Sequence, residues 1–312
     1  MPEVITVGEA MALFLSPRTG YLRHQPYLEL HVGGAEANLA IALARLGIGV
    51  SFVGWLGRDE VGEFVLSRLR AEGVEVGEVR HVDAPTGLYI RERLPGGRGR
   101  VYYWRHGSAA SLMGPGAFDP TCFDGARLFH LTGITPALSP TARACATWAL
   151  QEARSRGVRT SLDVNYRAKL WDIKEARAWF EEVLPLIDYL FLSEEDARLW
   201  EYKGDDLLKQ LVATGPQEVV LKRGSAGAMA MVNGLLVESP AFVVEEVDPV
   251  GAGDAFTAGY LAGLLWGKPP LERLKLGNAM GAMVVSVLGD YEGTPTHGDL
   301  MGFLHCQPLV ER

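Results

Sequence analysis

The sequence predicts an α/β fold: a doubly wound, mainly parallel sheet flanked by helices, with a small β-sheet lid. Three observations carry this expectation. Short apolar β runs alternate with amphipathic helical stretches along most of the chain, as in a parallel sheet covered on both faces. The 37 glycines tend to fall between those periodic segments, where repeated βα turns need them. One segment breaks the rhythm, with two strand-like runs joined by a glycine-rich turn. With 312 residues, no low-complexity linker and no repeat, the expectation is one domain over 1–312, its lid formed by about 13–31 and 86–106.

Taken in order, Val4 to Gly8 is a short β run. Val32 to Gly47 begins with glycines and becomes a helix, followed by the strand Val50 to Gly54. Glu60 to Glu72 is amphipathic and ends at Gly73. Leu128 to Leu131 reads as a strand, Pro140 to Arg156 as a helix and Thr160 to Val164 as a strand. The alternation continues with the helix Ile173 to Leu184, the strand Tyr189 to Leu192 and helices over Asp196 to Tyr202 and Leu207 to Ala213. Glu218 to Lys222 is a further strand, and Ala228 to Val232 pairs with Leu235 to Glu238 across Asn233-Gly234. Helices Ala255 to Leu265 and Leu271 to Val287 close the core.

The segment that breaks the rhythm has strands Thr86 to Leu94 and Arg100 to Arg105, joined by Pro95-Gly96-Gly97-Arg98-Gly99. Pairing Leu94 with Arg100 sets Arg91 opposite Tyr103 and Tyr89 opposite Arg105, all on one aromatic and cationic face. A lone hairpin is not stable in water, so it must lie on something or pair with more strands, which the irregular Leu13 to Leu30 stretch can supply. Such a sheet is either an exposed hairpin with solvated arginines or a lid whose inner face meets a ligand and excludes water.

Composition removes several classes of function. A net charge of −8 argues against a nucleic-acid footprint, which needs clustered positive charge. No apolar run reaches membrane-spanning length, and Met1-Pro2-Glu3-Val4 lacks the basic-then-apolar start of an export signal, so a cytoplasmic protein is expected. Cys122, Cys145 and Cys306 are scattered without metal-ligand spacing, and the histidines form no cluster, so no protein-held metal is expected.

The most informative stretch is Asp248-Pro249-Val250-Gly251-Ala252-Gly253-Asp254-Ala255-Phe256-Thr257-Ala258-Gly259. Small residues run into an aspartate and then into an apolar helix, so Gly251 to Asp254 form a first turn. Its amides lack partners and the dipole is positive there, which draws anions. A carboxylate at that place is either an ordinary helix cap or a base that takes a proton from a hydroxyl attacking a bound phosphoryl group. Gly33-Gly34-Ala35-Glu36-Ala37-Asn38-Leu39-Ala40 precedes another helix; Gly34 allows close approach to the backbone and Asn38 offers both donor and acceptor.

Together these two stretches resemble the two signatures of the PfkB (ribokinase-like) family of carbohydrate kinases. The N-terminal one carries an extra residue between its glycines and Asn38. The resemblance runs from Val4 to about Leu304 and implies a ribokinase-like fold, ATP and Mg²⁺. It implies Asp254 as catalytic base, with Gly251, Ala252 and Gly253 as an anion hole that also meets the nucleotide phosphates. Asp163-Val164-Asn165-Tyr166-Arg167 ends a strand, where ligands sit in doubly wound sheets. Arg167 suits a carboxylate or phosphate, or a surface salt bridge, and Asn165 is a nucleotide-side candidate.

Lys222-Arg223-Gly224-Ser225-Ala226-Gly227 looks like the family's nucleotide loop, with Lys222, Gly224, Ser225, Ala226 and Gly227 as its candidates. Asn278 resembles the adenine-side position, with a helix-surface residue as the alternative. In Leu192-Ser193-Glu194-Glu195-Asp196 the family's Asn-x-x-Glu becomes Ser193 and Asp196, so Mg²⁺ is expected chiefly on ATP oxygens and water.

Many relatives that phosphorylate neutral sugars carry an aspartate after the first strand, and Gly8-Glu9-Ala10-Met11-Ala12-Leu13 has none. The lid offers Tyr89, Tyr103 and Arg105 and the core Arg167, which suits an anionic, sugar-like substrate. Asp290 is a candidate acceptor for a substrate hydroxyl, or a plain turn residue. Within the family these runs look like kinases of 2-keto-3-deoxygluconate, acting at the 6-hydroxyl. A fructokinase or another sugar kinase is the alternative. A dinucleotide oxidoreductase would need GxGxxG after the first strand, which the Gly8 turn lacks. The expected partners are a sugar acid, ATP and further copies of the chain paired through open lid edges, with neither nucleic acid nor membrane.

Overall fold

Residues 2–96, 99–200 and 204–306 are described by the computed structural model. Strands β1 (Val4–Val7), β2 (Met11–Leu15) and β3 (Glu29–Gly33) precede helix α1 (Ala35–Arg45). Next come β4 (Val50–Gly57), α2 (Glu60–Ala71), β5 (Val79–Val82), and the hairpin β6 (Leu88–Arg93) and β7 (Gly99–Trp104). The alternation resumes with β8 (Leu128–Thr132), α3 (Pro140–Ser155), β9 (Arg159–Asp163), α4 (Ile173–Val183), β10 (Tyr189–Ser193), α5 (Gly204–Ala213) and β11 (Glu218–Lys222). It closes with β12 (Ala228–Val232), β13 (Leu235–Ser239), α6 (Ala252–Leu265), α7 (Pro270–Val285) and α8 (His297–Cys306).

The nine-stranded main sheet has the order β13-β12-β11-β10-β9-β8-β1-β4-β5. Every pair from β11 to β5 is parallel, and β12 and β13 form an antiparallel edge. From β1 the chain moves outward through β4 to β5, then returns to β8 on the other side. That reversal leaves a crevice beyond the carboxyl ends of β1 and β8, the usual ligand position in such sheets. Period-2 alternation divides the core into two layers. Tyr189 and Phe191 of β10 join the layer under α1, α6 and α7, whereas Leu190 and Leu192 join the layer under α3, α4 and α5. Each such fully buried apolar side chain contributes about 1.5–3 kcal/mol.

Helix starts follow local chemistry. Asp59, Ser139 and Asp172 cap α2, α3 and α4 by accepting from the N–H groups of Gly62, Ala142 and Lys174, worth about 1 kcal/mol each. A second sheet of order β3-β2-β6-β7 forms the lid. Leu13, Leu15 and Tyr89 are buried together on its inner face, because the parallel β2–β6 register aligns Leu13 with Tyr89 and Leu15 with Arg91. No helix among the described residues is long and apolar enough to cross a membrane.

Several details differ from the sequence reading. The hairpin register is shifted by two residues: Tyr89 faces Tyr103, Arg91 faces Val101, and Gly99 belongs to β7. Stacking of the Tyr89 and Tyr103 rings, with centroids 5.4 Å apart, accompanies this pairing. A shift of two keeps every side chain on its face, so the aromatic, cationic face persists. Gly97 and Arg98 of the turn lie outside the described residues. Asp196 to Tyr202 is not an α-helix over its described part: a 3-10 turn covers Asp196–Leu199, and Trp200 turns extended against the Phe180 ring. Glu201 and Tyr202, and the side chain of Cys306, lie outside the described residues. Local pattern alone does not mark β2, β3 and β5, which tertiary pairing defines, and it does not mark helix α8 either.

Candidate active site

Helix α6 is apolar on all sides and packs into the core against α1 and α7, so its first turn is held rigidly at the crevice. Gly251 precedes it with φ +80°, and an added Cβ there would collide with the Asp290 carbonyl, so glycine is required twice over. The Ala255 N–H donates to the Gly251 carbonyl at 2.9 Å. The amides of Ala252, Gly253 and Asp254 consequently have no acceptor within the helix and face the positive end of the dipole.

Asp254 is only partly shielded by area, yet its carboxyl is pushed up to about 7. Removal from water is the main cause, and the Asp163 carboxylate adds to it. The Asn38 hydrogen bond and the charges of Lys222 and Arg167 act the other way. Asn38 Nδ2 donates to Asp254 Oδ2 at 2.8 Å, while Asn38 Oδ1 is buried without a partner among the described residues. Asn38 occupies the first turn of α1, which starts at Gly34 with φ +130°; a side chain at Gly34 would strike the Glu9 carbonyl.

The strand ends of β9 and β11 add charge beside this turn. Lys222 Nζ lies 2.5 Å from Asp163 Oδ2, and Thr257 Oγ1 donates to the same oxygen at 2.9 Å. Asp163 Oδ1 is buried with no partner among the described residues. The Lys222 ammonium also stands 3.6 Å from the point where a Gly253 Cβ would be, so a cation borders the open amides. Asn165 just beyond β9 takes φ +38°, a strained conformation for a non-glycine residue and frequent at functional sites. Arg167 is exposed, and no hydrogen bond or ion pair among the described residues engages its guanidinium; its charge reaches Asp254.

Ser193 and Asp196 close on each other. Asp196 Oδ2 accepts from the Ser193 N–H at 2.8 Å and hydroxyl at 2.7 Å, and Oδ1 accepts from the Tyr166 N–H at 2.8 Å. That pair shapes the backbone and has little capacity left for an ion. Gly224–Ala226 form an exposed 3-10 turn after β11, ended by Gly227. Asn278 is buried rather than on the helix surface; its Nδ2 donates to the carbonyls of Ser239 at 3.1 Å and Pro240 at 3.0 Å. It thereby holds the chain after β13.

At the lid end Arg105 lies over the Tyr103 ring at 5.5 Å and pairs with Glu9 Oε2, both side chains nearly buried. Ser108 Oγ donates to the other Glu9 oxygen at 2.5 Å. Arg105 Nε remains buried without a hydrogen-bond partner among the described residues. The Tyr89 hydroxyl donates to Asp290 Oδ2, and Arg91 Nη1 donates to Asp290 Oδ1 at 2.9 Å. Both Asp290 oxygens are therefore engaged within the protein, and burial pushes its carboxyl up to about 6.

The structure links Arg105, Tyr103, Tyr89, Asp290, Gly251, Asp254 and Asn38 in one run of contacts. Asp163, Glu9, Arg91 and Asp248 take part as well but were not among the sequence candidates. Asp163, Asp248 and Glu9 lay inside stretches already singled out, and Arg91 on the cationic hairpin face; none was a site candidate, because the partners that define their roles are distant in sequence.

Open amides, a lysine and orphaned buried oxygens fit a phosphate-bearing ligand with a hydrated cation. No group of three or more His, Cys, Asp or Glu side chains able to hold a metal occurs among the described residues. A putative ribokinase II from E. coli, solved in complex with ATP and Mg²⁺, superposes with TM-score 0.91 at 25% identity, covering 98% of this chain and 100% of that one. The 2-dehydro-3-deoxygluconokinase of Thermoproteus tenax is 36% identical over 305 residues, 95% of this chain and 92% of that protein. The 2-dehydro-3-deoxygalactonokinase of Haloferax volcanii is 35% identical over 293 residues, 92% of each. The model of the pfkB family carbohydrate kinases matches residues 1–297. With the Asp254 turn, the Asn38 helix and the lid in the arrangement just described, the chain belongs to the pfkB family of carbohydrate kinases, phosphotransferases with an alcohol group as acceptor.

Proposed function

We propose that the protein transfers the γ-phosphoryl group of ATP to the 6-hydroxyl of 2-keto-3-deoxygluconate, also called 2-dehydro-3-deoxygluconate. The observation that carries this reading is Asp254: a carboxyl raised to about 7, hydrogen-bonded to Asn38 and set at an open helix start. A group poised near neutrality accepts and releases a proton readily. Asp254 takes the 6-hydroxyl proton as that oxygen attacks the γ-phosphorus in line. The new O–P bond forms, the bond to the bridging oxygen breaks, and ADP leaves with its electron pair.

The amides of Ala252 and Gly253, shaped by Gly251, stabilise charge on the γ-phosphoryl oxygens, and Lys222 adds a cation beside them. Gly224, Ser225, Ala226 and Gly227 form the purine and ribose rim, and Asn165, Ser193 and Asn278 hold the strand ends around it. Mg²⁺ supplies charge neutralisation on the phosphates, and the free Asp163 Oδ1 suits a water of its shell. Arg167 and the unpartnered Arg105 Nε receive the substrate carboxylate, with Tyr89 and Tyr103 against the carbon chain and Gly34 leaving room for it.

A coupled assay comparing 2-keto-3-deoxygluconate, its C4 epimer, fructose and ribose tests the reading. The sugar acid should give the highest kcat/KM; equal turnover of fructose would remove the sugar-acid assignment. Asp254→Asn should lower kcat by about 10²–10⁴-fold and leave ATP binding intact. Unchanged turnover would remove Asp254 as the base. Lid-to-lid association of copies is also inferred, supported by the unpaired edges of β3 and β7 and by Leu30 (40% exposed) and Trp104 (56%). Light scattering that reports a monomer would dismiss it.

A further inference from the structure

Arg91 belongs to lid strand β6, yet its guanidinium ends between two carboxylates of the main body. Nη2 donates to Asp248 Oδ2 at 2.5 Å and Nη1 to Asp290 Oδ1 at 2.9 Å. All three residues are buried, Arg91 being 4% exposed. Each carboxylate is connected onward. Asp248 accepts from the N–H groups of Val250 and Gly289, each at 3.2 Å. The N–H groups of Val247 and Asp248 donate to the Val285 carbonyl at 2.7 and 3.0 Å. Asp290 also accepts from Tyr89, and its carbonyl lies against Gly251, where no side chain fits. The loop before α6 and the loop after α7 thus close on one cation carried by the lid.

Stability alone is a weak reason for such a triad, because buried ion pairs add little over packed apolar residues of similar size. A guanidinium fork does something apolar groups cannot: it fixes the spacing and orientation of two carboxylates at once. The geometry points to Arg91 as a positioning residue for phosphoryl transfer, which couples the seating of lid strand β6 to the backbone that begins the Gly251–Asp254 turn. This deepens, and rests on, the assignment of that turn as anion hole and base. Arg91 itself touches no reacting atom and acts through Asp248 and Asp290. A misplaced turn weakens contacts that count most as charge shifts during transfer, so loss falls on kcat before KM.

Two variants test this. Arg91→Lys keeps the charge and loses the fork; Arg91→Ala opens a space that a guanidinium ion can enter. The Lys variant should lose about 10²-fold in kcat, the scale of a misplacement of about 1 Å. Its KM for ATP and for the sugar acid should stay within about threefold of the parent, the mark of an interaction acting in the transition state. Guanidinium chloride below denaturing concentration should restore part of the kcat of Arg91→Ala and none of that of Asp254→Asn. A Lys variant with a lowered Tm but full kcat, or with its loss confined to KM, overturns the inference. Failure of Arg91→Ala to fold leaves the kcat-to-KM split of the Lys variant to decide. The two readings fail separately: full turnover by Arg91→Lys beside an inactive Asp254→Asn removes only the role of Arg91, whereas an active Asp254→Asn removes the base beneath it.

Discussion

The α6 end of the crevice and the lid end treat their polar groups in opposite ways. Around α6 the structure leaves groups unmatched: three open amides, Asn38 Oδ1 and Asp163 Oδ1 without partners, and a carboxyl raised to about 7. At the lid nearly every charge is already answered, Arg105 by Glu9 and Arg91 by Asp248 and Asp290. Unmatched buried groups cost free energy in the empty protein and are repaid when a complementary ligand arrives. Matched groups stabilise the empty protein but must share or exchange partners on binding. The difference teaches that one end keeps unmatched polar groups, as the proposed anion site requires, whereas the other already pairs its charges within the protein.

The two arginines expected at the substrate carboxylate sharpen this contrast most. Arg105→Ala strands a buried Glu9, so it should destabilise the fold by about 3–5 kcal/mol, read as a lowered midpoint in urea, besides weakening sugar-acid binding. Arg167→Ala removes an exposed, unmatched cation, so the same titration should move by no more than about 0.5 kcal/mol while the KM for the sugar acid still rises. Equal stability losses in the two variants would break the comparison.

The smaller effect concerns pH. Asp254 must be deprotonated to act as a base, so kcat/KM should fall about tenfold per unit below a pKa near 7. Stability should run the other way. The folded chain keeps the Asp254 proton up to about pH 7, whereas the unfolded chain loses it near 3.8. Between those values the fold binds more protons, so its stability decreases as pH rises through the window. Asp254→Asn should flatten that slope and be more stable than the parent above pH 7. A pH–rate profile with no acid limb near 7 would show that the open turn does not tune this acid.

Much of the architecture was legible because it is periodic. β runs and amphipathic helices announce themselves locally, and strands buried on both faces, such as β10, read as unbroken apolar runs. The Gly251–Asp254 turn was legible for a related reason: its glycine, its carboxylate and the helix behind it are neighbours in sequence. Lid strands β2 and β3 were less distinct, since the pairing of β2 with β6 and of β3 with β2 defines them. The hairpin register differs because either alignment keeps the same faces, and the Tyr89–Tyr103 stack accompanies the one observed.

What the sequence determined by itself, then, is the alternation of strands and helices and the glycine turn that carries Asp254 into α6, all properties of short stretches governed by local backbone chemistry. The tertiary structure alone decided which charges are free and which are taken. Glu9 finds Arg105, and Arg91 finds Asp248 and Asp290, across separations of 96, 157 and 199 residues or the like that no local pattern encodes. Whether a buried charge waits for a ligand or is already satisfied depends on such distant encounters, because burial makes pairing strong and sequence distance does not enter the energy.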